Sequence, residues 1–250
     1  MTDKAIIVTG AAVGLGRAIA LRLGADGYRV GVTDVNSDGA ERVAQEIREA
    51  GGSASSRWLD VSDEGSVTEA VTSIADEFGG LNGLVNNAGV GRATPFLHMT
   101  VQDWDWVQTI NARGVFLVSR AVAPYLVEAG GGSVVNISSI AGRDGFPLWA
   151  HYVASKHAVI GLTRAMAREL GEHQVRVNAV CPGAIKTDIW SPEAQATDDP
   201  DAVMASLVAR MPLQRPQTAE DVADATAFLL SRAANSITGQ SLGVDGGLLV

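Results

Sequence analysis

Residues 5–16 read Ala-Ile-Ile-Val-Thr-Gly-Ala-Ala-Val-Gly-Leu-Gly, and the fold turns on this stretch. Ala5 to Val8 are apolar at successive positions, as in a parallel strand covered on both faces. Gly10, Gly14 and Gly16 follow in G-x-x-x-G-x-G spacing, and a helical pattern opens at once over about 14–26. Such a turn brings backbone N–H groups and a positive helix N-terminus against a pyrophosphate. Glycine is needed where a Cβ would block the ligand or the strand below. A glycine triplet alone is weak; the strand before it and the helix after it give it meaning. Gly10, Val13, Gly14, Leu15 and Gly16 are therefore candidate phosphate contacts.

The same alternation continues along the chain. Strand patterns occupy 5–9, 29–33, 54–59, 83–86, 133–137, 175–179 and 241–244. Helical patterns occupy about 14–26, 37–50, 63–78, 101–129, 151–171 and 219–231. Ala40, Val43, Ala44 and Ile47, for example, keep the i, i+3, i+4, i+7 rule. Strands alternating with helices predict an α/β fold: a Rossmann-type, doubly wound parallel sheet of about seven strands, with helices on both faces in three layers. No linker or repeat divides the 250 residues, so one domain is expected. The irregular region 184–217, with four prolines and Asp198-Asp199-Pro200-Asp201, reads as a substrate lid beyond the strand ends.

Composition narrows the partners. The hydrophobic share is 46% against 19% charged, which supplies a core and excludes disorder. A net charge of −9 with no Lys/Arg cluster argues against nucleic acid and anionic membranes. Uncharged runs such as 78–91 are too short to span a bilayer. The single cysteine, Cys181, cannot form an intramolecular disulfide. A cytoplasmic protein is expected.

Asp34 ends the second strand, eighteen residues after Gly16. A carboxylate there accepts hydrogen bonds from ribose hydroxyls and repels a 2′-phosphate, which favours NAD over NADP. Asn36 or Ser37 would cap the next helix. Tyr152 and Lys156 lie four apart in Tyr-Val-Ala-Ser-Lys, on one helix face. An adjacent ammonium and a nicotinamide cation both favour phenolate, so Tyr152 is expected to have a lowered pKa and to exchange protons near neutral pH. Ser139 stands thirteen residues before Tyr152, at the end of a strand.

These motifs resemble the short-chain dehydrogenase/reductase family over essentially the whole chain. Thr9-Gly10 to Gly16, Asp60, Asn86-Asn87-Ala88-Gly89, Asn111, Ser139, Tyr152, Lys156, Pro182-Gly183 and Thr187 occur in the family's order. The resemblance implies that Tyr152 is the general acid/base and that Ser139 holds the substrate oxygen. Lys156 would bind the nicotinamide ribose, and Asn111 would support a water linking Lys156 to solvent. It also implies that Asp60 and Val61 hold the adenine, that Asn87, Ala88 and Gly89 line the cleft, and that Pro182, Gly183, Ile185 and Thr187 run along the nicotinamide. Asn111 would equally kink or cap a helix, and Asp60 would equally cap the helix beginning near Asp63. Ser138 is expected to support the strand end. Assembly as a homotetramer through 101–129, 151–171 and the last strand is the family expectation.

Other chemistries fit less well. Ser139 lies in Ile-Ser-Ser-Ile-Ala-Gly, not in G-x-S-x-G. His98, His151, His157 and His173 are scattered, with His151 and His157 six apart on different helix faces, so no metal is expected, and His151 is the one expected near the substrate. Arg92, Phe146, Trp149 and Trp190 are the main substrate-pocket candidates, with Val90, Gly91, Ile140, Gly142, Arg143 and Ile189 beside them. The expected activity is NAD-dependent hydride transfer between a secondary alcohol (sugar alcohol, diol or ring alcohol) and its ketone. The alternative is 3-oxoacyl-[acyl-carrier-protein] reductase, disfavoured by Asp34 and the lack of basic docking residues at 127–130 and 171–173. A non-catalytic dinucleotide-binding regulator ranks third.

Overall fold

The computed structural model describes residues 4–185, 197 and 199–249. Seven strands form one sheet: β1 Ala5–Thr9, β2 Arg29–Asp34, β3 Ser53–Trp58, β4 Gly83–Asn86, β5 Gly132–Ile137, β6 Val175–Pro182 and β7 Ser241–Val244. Their order is β3-β2-β1-β4-β5-β6-β7, and every neighbouring pair is parallel. This is the Rossmann-type α/β arrangement.

The pleat of β1 shows why the sheet needs two covers. Ile6 and Val8 enter one core with Ile19, Leu23, Val43, Ile47, Val222 and Leu229. Ala5 and Ile7 point the other way, to Val67, Val71, Ile74, Phe78, Leu117 and Val122. The first face is covered by α1 (Gly14–Ala25), α2 (Ser37–Glu49) and a C-terminal helix at Ala219–Leu230. The second is covered by α3 (Glu64–Phe78), α5 (Gly114–Glu128) and α6 (Ala150–Glu169). Each fully buried Ile or Leu contributes about 1.5–3 kcal/mol. β3 departs from the pattern: as an edge strand it leaves Trp58 52% exposed.

Two helical runs differ from expectation. The continuous pattern at 101–129 is broken into α4 (Val101–Gln108), a π-helical turn at Thr109–Arg113, and α5. A π-turn inserts one residue into the ladder and re-aims the side chains around it. The acidic, proline-bearing run opens a helix at Asp199, α7 (Pro200–Val208). Asp199 accepts from the Ala202 N–H as N-cap and Pro200 takes the first turn, where its missing donor costs nothing. The C-terminal helix is then α8. Among the described residues, no helix is long and apolar enough to cross a membrane.

Strand order reverses between β1 and β4, and in open α/β sheets the crevice at such a point, beyond the carboxyl ends, receives the ligand.

Candidate active site

The loops after β1 and β4 meet at that crevice. Gly10 has φ +63°, and a Cβ there would lie 2.7 Å from the Ala88 Cα. A Cβ on Gly16 would overlap the Gly10 carbonyl oxygen. Gly14 has φ +53° but open space around it, so its requirement is conformational rather than steric. The Asn87 amide donates to the Thr9 and Gly10 carbonyls at 3.0 and 2.9 Å. Thr9 Oγ1 accepts from the Asn87 and Ala88 N–H groups at 3.0 and 3.1 Å. Both loops are thus held in one rigid turn.

Helix α1, like α5 and α6, starts without a side-chain cap. Side chains of Asn36, Asp63, Thr100 and Thr218 cap α2, α3, α4 and α8. At α1 the N-cap is Val13, with no side-chain cap bond. Its orphan N–H groups and positive dipole end face a cavity lined by Gly10, Val13, Gly14, Leu15 and Gly16. A turn stripped of Cβ atoms, beside an uncapped helix start, suits a pyrophosphate.

The cavity holds about 690 Å³ and runs across the carboxyl ends of the sheet. At the β2 and β3 end stand Asp34, Asp60 and Val61; at the β5 and β6 end stand Ser139, Tyr152, Lys156, Pro182, Gly183 and Ile185, with Asn87, Ala88 and Gly89 between. Asp34 accepts from the Ala12 N–H at 3.0 Å and the Asn36 N–H at 2.9 Å, which fixes its carboxylate at the wall. Asp60 accepts from the Ser62 N–H and hydroxyl at 2.8 and 2.6 Å. The helix cap in that region is Asp63, bonded to the Ser66 N–H.

Ser139 follows β5 and forms the N-cap of the short helical turn Ile140–Gly142, accepting from the Ala141 N–H at 3.1 Å. Its hydroxyl also hydrogen-bonds Tyr152, which lowers the phenol pKa, but burial outweighs that and pushes Tyr152 up to about 12. The expected lowering by the neighbouring ammonium is not found. Lys156 Nζ instead donates to the Ile137 carbonyl at 3.0 Å. Lys156 is 4% exposed, and burial pushes its pKa down to about 8. Ser138 is buried and donates to the Lys156 carbonyl at 3.0 Å, a structural task on the helix backbone, whereas Ser139 stands beside Tyr152.

Asn111 sits inside the π-turn, fully buried. Its amide accepts from Val90 N–H at 2.8 Å and donates to the Val90 carbonyl at 2.8 Å and to Ser155 Oγ at 3.1 Å. Ser155 in turn donates to the Tyr152 carbonyl at 2.7 Å. The kink reading and the site reading therefore meet: the π-turn aims Asn111 so that it ties the loop after β4 to the helix carrying Tyr152. His151 is buried rather than in the cavity; its Nδ1 accepts from the Tyr152 N–H at 2.8 Å, and burial holds its pKa below the usual value.

Of the pocket candidates, Phe146, Trp149, Val90 and Ile140 line the cavity. Arg92 does not: its guanidinium is bound to Asp103 at 2.6 Å, a partner on α4 that local sequence does not reveal. Gly91, Gly142 and Arg143 also stand outside the lining. Thr187, Ile189 and Trp190 lie outside the described residues, as does 186–196 of the expected lid. Pro147, Leu148, Val203, Ser206 and Leu207 also line the cavity, and sequence reasoning missed them. The signal for the last three was the Asp199-Pro200 helix start, which puts Val203 and Leu207 one turn apart. Among the described residues no three His, Cys, Asp or Glu side chains gather as a metal site.

Comparison with known proteins agrees with this geometry. A family model described as Enoyl-(Acyl carrier protein) reductase matches residues 10–249. A Thermotoga maritima protein named 3-oxoacyl-[acyl-carrier-protein] reductase FabG is 36% identical over 250 residues, covering 100% of this chain and 99% of its own. A Xanthobacter autotrophicus protein named 2-(S)-hydroxypropyl-CoM dehydrogenase 3 is 36% identical over 99% of this chain and 97% of its own. A solved structure, the crystal structure of levodione reductase, superposes with a TM-score of 0.94 at 36% identity over 99% of this chain and 98% of its own. The chain belongs to the short-chain dehydrogenase/reductase family. It is accordingly an oxidoreductase that works with a nicotinamide dinucleotide.

Proposed function

We propose that the chain interconverts a secondary alcohol (a sugar alcohol, a diol or a ring alcohol) and its ketone, preferring NAD(H), within one dinucleotide-binding domain. The observation that carries this reading is the convergence of Ser139, Tyr152 and Lys156 on the cavity whose other end holds the glycine turn and Asp34. The nicotinamide, when bound, supplies or takes the hydride at the carbinol carbon. In reduction Tyr152 gives its phenol proton to the carbonyl oxygen while Ser139 donates a hydrogen bond to that oxygen. In oxidation the proton returns to Tyr152. Lys156 holds the nicotinamide ribose, and its ammonium stabilises the phenolate formed when Tyr152 gives up its proton. Asn111 positions the helix of Tyr152 and supports proton exchange with solvent.

At the other end Asp60 and Val61 take the adenine, while Pro182, Gly183 and Ile185 flank the nicotinamide at the Tyr152 end. Asp34 carries the cofactor preference: its two oxygens are already oriented by backbone N–H groups, and their remaining lone pairs suit ribose hydroxyls. Its charge opposes a 2′-phosphate. The printed name of the Xanthobacter relative, a dehydrogenase of a 2-hydroxypropyl compound, and that of levodione reductase fit alcohol–ketone chemistry.

The Thermotoga relative supports a second reading, reduction of a 3-oxoacyl group on a carrier protein. The −9 net charge opposes docking of an acidic carrier. Fluorescence titration with NADH and NADPH, joined to a panel of ketones, polyols and β-ketoacyl thioesters followed at the reduced-nicotinamide absorbance, separates the two. Tighter NADPH binding with thioester turnover would favour the carrier-protein substrate. We also take the assembly to be a homotetramer, in keeping with exposed Phe116 on α5 and Leu242 on β7; light scattering at the monomer mass would refute it.

A further inference from the structure

The Tyr152 end of the cavity is bounded by two apolar walls. One is the segment 146–149, from which Phe146, Pro147, Leu148 and Trp149 face the cavity. The Leu148 carbonyl accepts from the Thr94 N–H at 2.7 Å, which fastens this segment to the loop after β4. Leu148 holds φ +69°, a left-handed conformation unfavourable for a bulky side chain. Strain of this kind persists where surrounding contacts over-determine it, commonly at ligand sites. The Trp149 ring meets Tyr152 edge-on, with centroids 5.4 Å apart and planes at 72°. Behind both rings runs the bare backbone of Gly91, where a Cβ would lie 2.8 Å from Tyr152 and 2.9 Å from Trp149. The second wall is α7, whose Val203 and Leu207 share one helix face.

Among the described residues, polar partners between these walls are few. Ser206 gives its proton to the Val203 carbonyl at 2.8 Å and offers only lone pairs. Thr197 is the other hydroxyl contributed from that side. Among the described residues, the charged side chains lining the cavity are Asp34, Asp60 and Lys156. The two carboxylates stand at the far end, and Lys156 is turned onto Ile137. Among the described residues, a polyol would surrender water from several hydroxyls and find few partners beyond Ser139 and Tyr152, and an anion would find no cation other than Lys156. A flat apolar ring would gain from burial and from contact with the Trp149 and Phe146 rings.

Resting on the alcohol–ketone reading above, we propose that the substrate is an uncharged, predominantly apolar ring ketone or its secondary alcohol, and that Leu148 and Trp149 select it. The reaction balances as one hydride from NADH to the carbonyl carbon and one proton from Tyr152 to the oxygen. NAD is released and the phenol regains its proton from solvent.

The test measures kcat/KM of the full chain with NADH for cyclohexanone, an open-chain methyl ketone of the same carbon count, fructose and acetoacetate. Wild type, Trp149→Ala and Leu148→Gly are compared, with NADH affinity by fluorescence as the check on fold and cofactor cleft. Wild type is expected to favour cyclohexanone about a hundredfold over fructose and acetoacetate, and about tenfold over the open-chain ketone. Both variants should bring the cyclic to open-chain ratio toward one, with NADH affinity held within about threefold. A wild type that prefers fructose or acetoacetate, or a ratio unmoved in both variants, overturns the proposal and leaves the alcohol–ketone reading standing. If NADH binds and none of the four is reduced, that reading falls and the proposal falls with it.

Discussion

The Lys156 ammonium lies 5.4 Å from the centre of the Tyr152 ring, yet its hydrogen bond goes to the Ile137 carbonyl at 3.0 Å. The acid/base pair is therefore built on β5 as much as on α6. The strand end provides the lysine's anchor, and the next two residues provide Ser138 beneath and Ser139 beside the tyrosine. Burial dominates both pKa values and drives each group toward its neutral form.

Stability should carry the mark of that burial. Lys156 is pushed down to about 8 from 10.5, so between those values the unfolded chain holds more protons than the folded one and stability rises with pH. Tyr152, pushed up from 10 to about 12, acts in the opposite sense above pH 10. Urea denaturation should show wild type gaining roughly 2 kcal/mol from pH 8 to pH 10 relative to Lys156→Met, since a tenfold change in proton activity is worth about 1.4 kcal/mol there. Parallel curves for the two proteins would contradict the burial of an ionisable Lys156.

The two serines should separate cleanly. Ser138→Ala removes the donor to the Lys156 carbonyl and should cost about 1 kcal/mol of stability with little change in turnover. Ser139→Ala removes the cap on the Ala141 N–H, which should cost about 1 kcal/mol, but it should also lower kcat/KM about a hundredfold, as for loss of one donor to a reacting oxygen. Steady-state kinetics and chemical denaturation on both variants check this.

Gly14 and Gly16 lie two residues apart and should respond differently. Gly14→Ala meets open space and should cost about 1 kcal/mol, from backbone conformation alone. Gly16→Ala drives a methyl into the Gly10 carbonyl and should cost upwards of about 3 kcal/mol, with loss of NADH binding. The gain in helix propensity from alanine, about 1 kcal/mol at most, is too small to offset that overlap. Thermal or urea unfolding of the two variants, each with an NADH titration, checks the difference.

Asp34→Asn keeps the size of the side chain and an acceptor for the Ala12 N–H while removing the charge. NADH affinity should fall about tenfold and the gap to NADPH should narrow. An unchanged NADH/NADPH ratio in paired fluorescence titrations would remove Asp34 from cofactor selection.

Much of this was legible in the sequence because it depended on local pattern. The central strands read as apolar runs since both faces are covered, and the glycine turn read from its spacing and context. Tyr152, Lys156 and Ser139 read from intervals that a helix face and a strand end make meaningful. What escaped the sequence depended on partners distant in the chain. Periodicity runs through 101–129 without marking the π-turn, whose reason is the long-range grip of Asn111 on Val90. Arg92 reads as a pocket cation in sequence, whereas in the fold Asp103 holds it. The raised Tyr152 pKa follows from packing that no i, i+4 rule contains. Leu148 carries no local signal for a positive φ, as glycine or asparagine would.

The most direct measurement compares Tyr152→Phe with wild type for NADH-dependent ketone reduction, with NADH affinity measured in parallel. The phenyl ring keeps the packing against Trp149 and removes only the proton-bearing oxygen. The account predicts NADH affinity within about threefold of wild type and kcat reduced by about a hundredfold to ten-thousandfold, the usual worth of a positioned acid/base. Full turnover by Tyr152→Phe with the same ketone would contradict it.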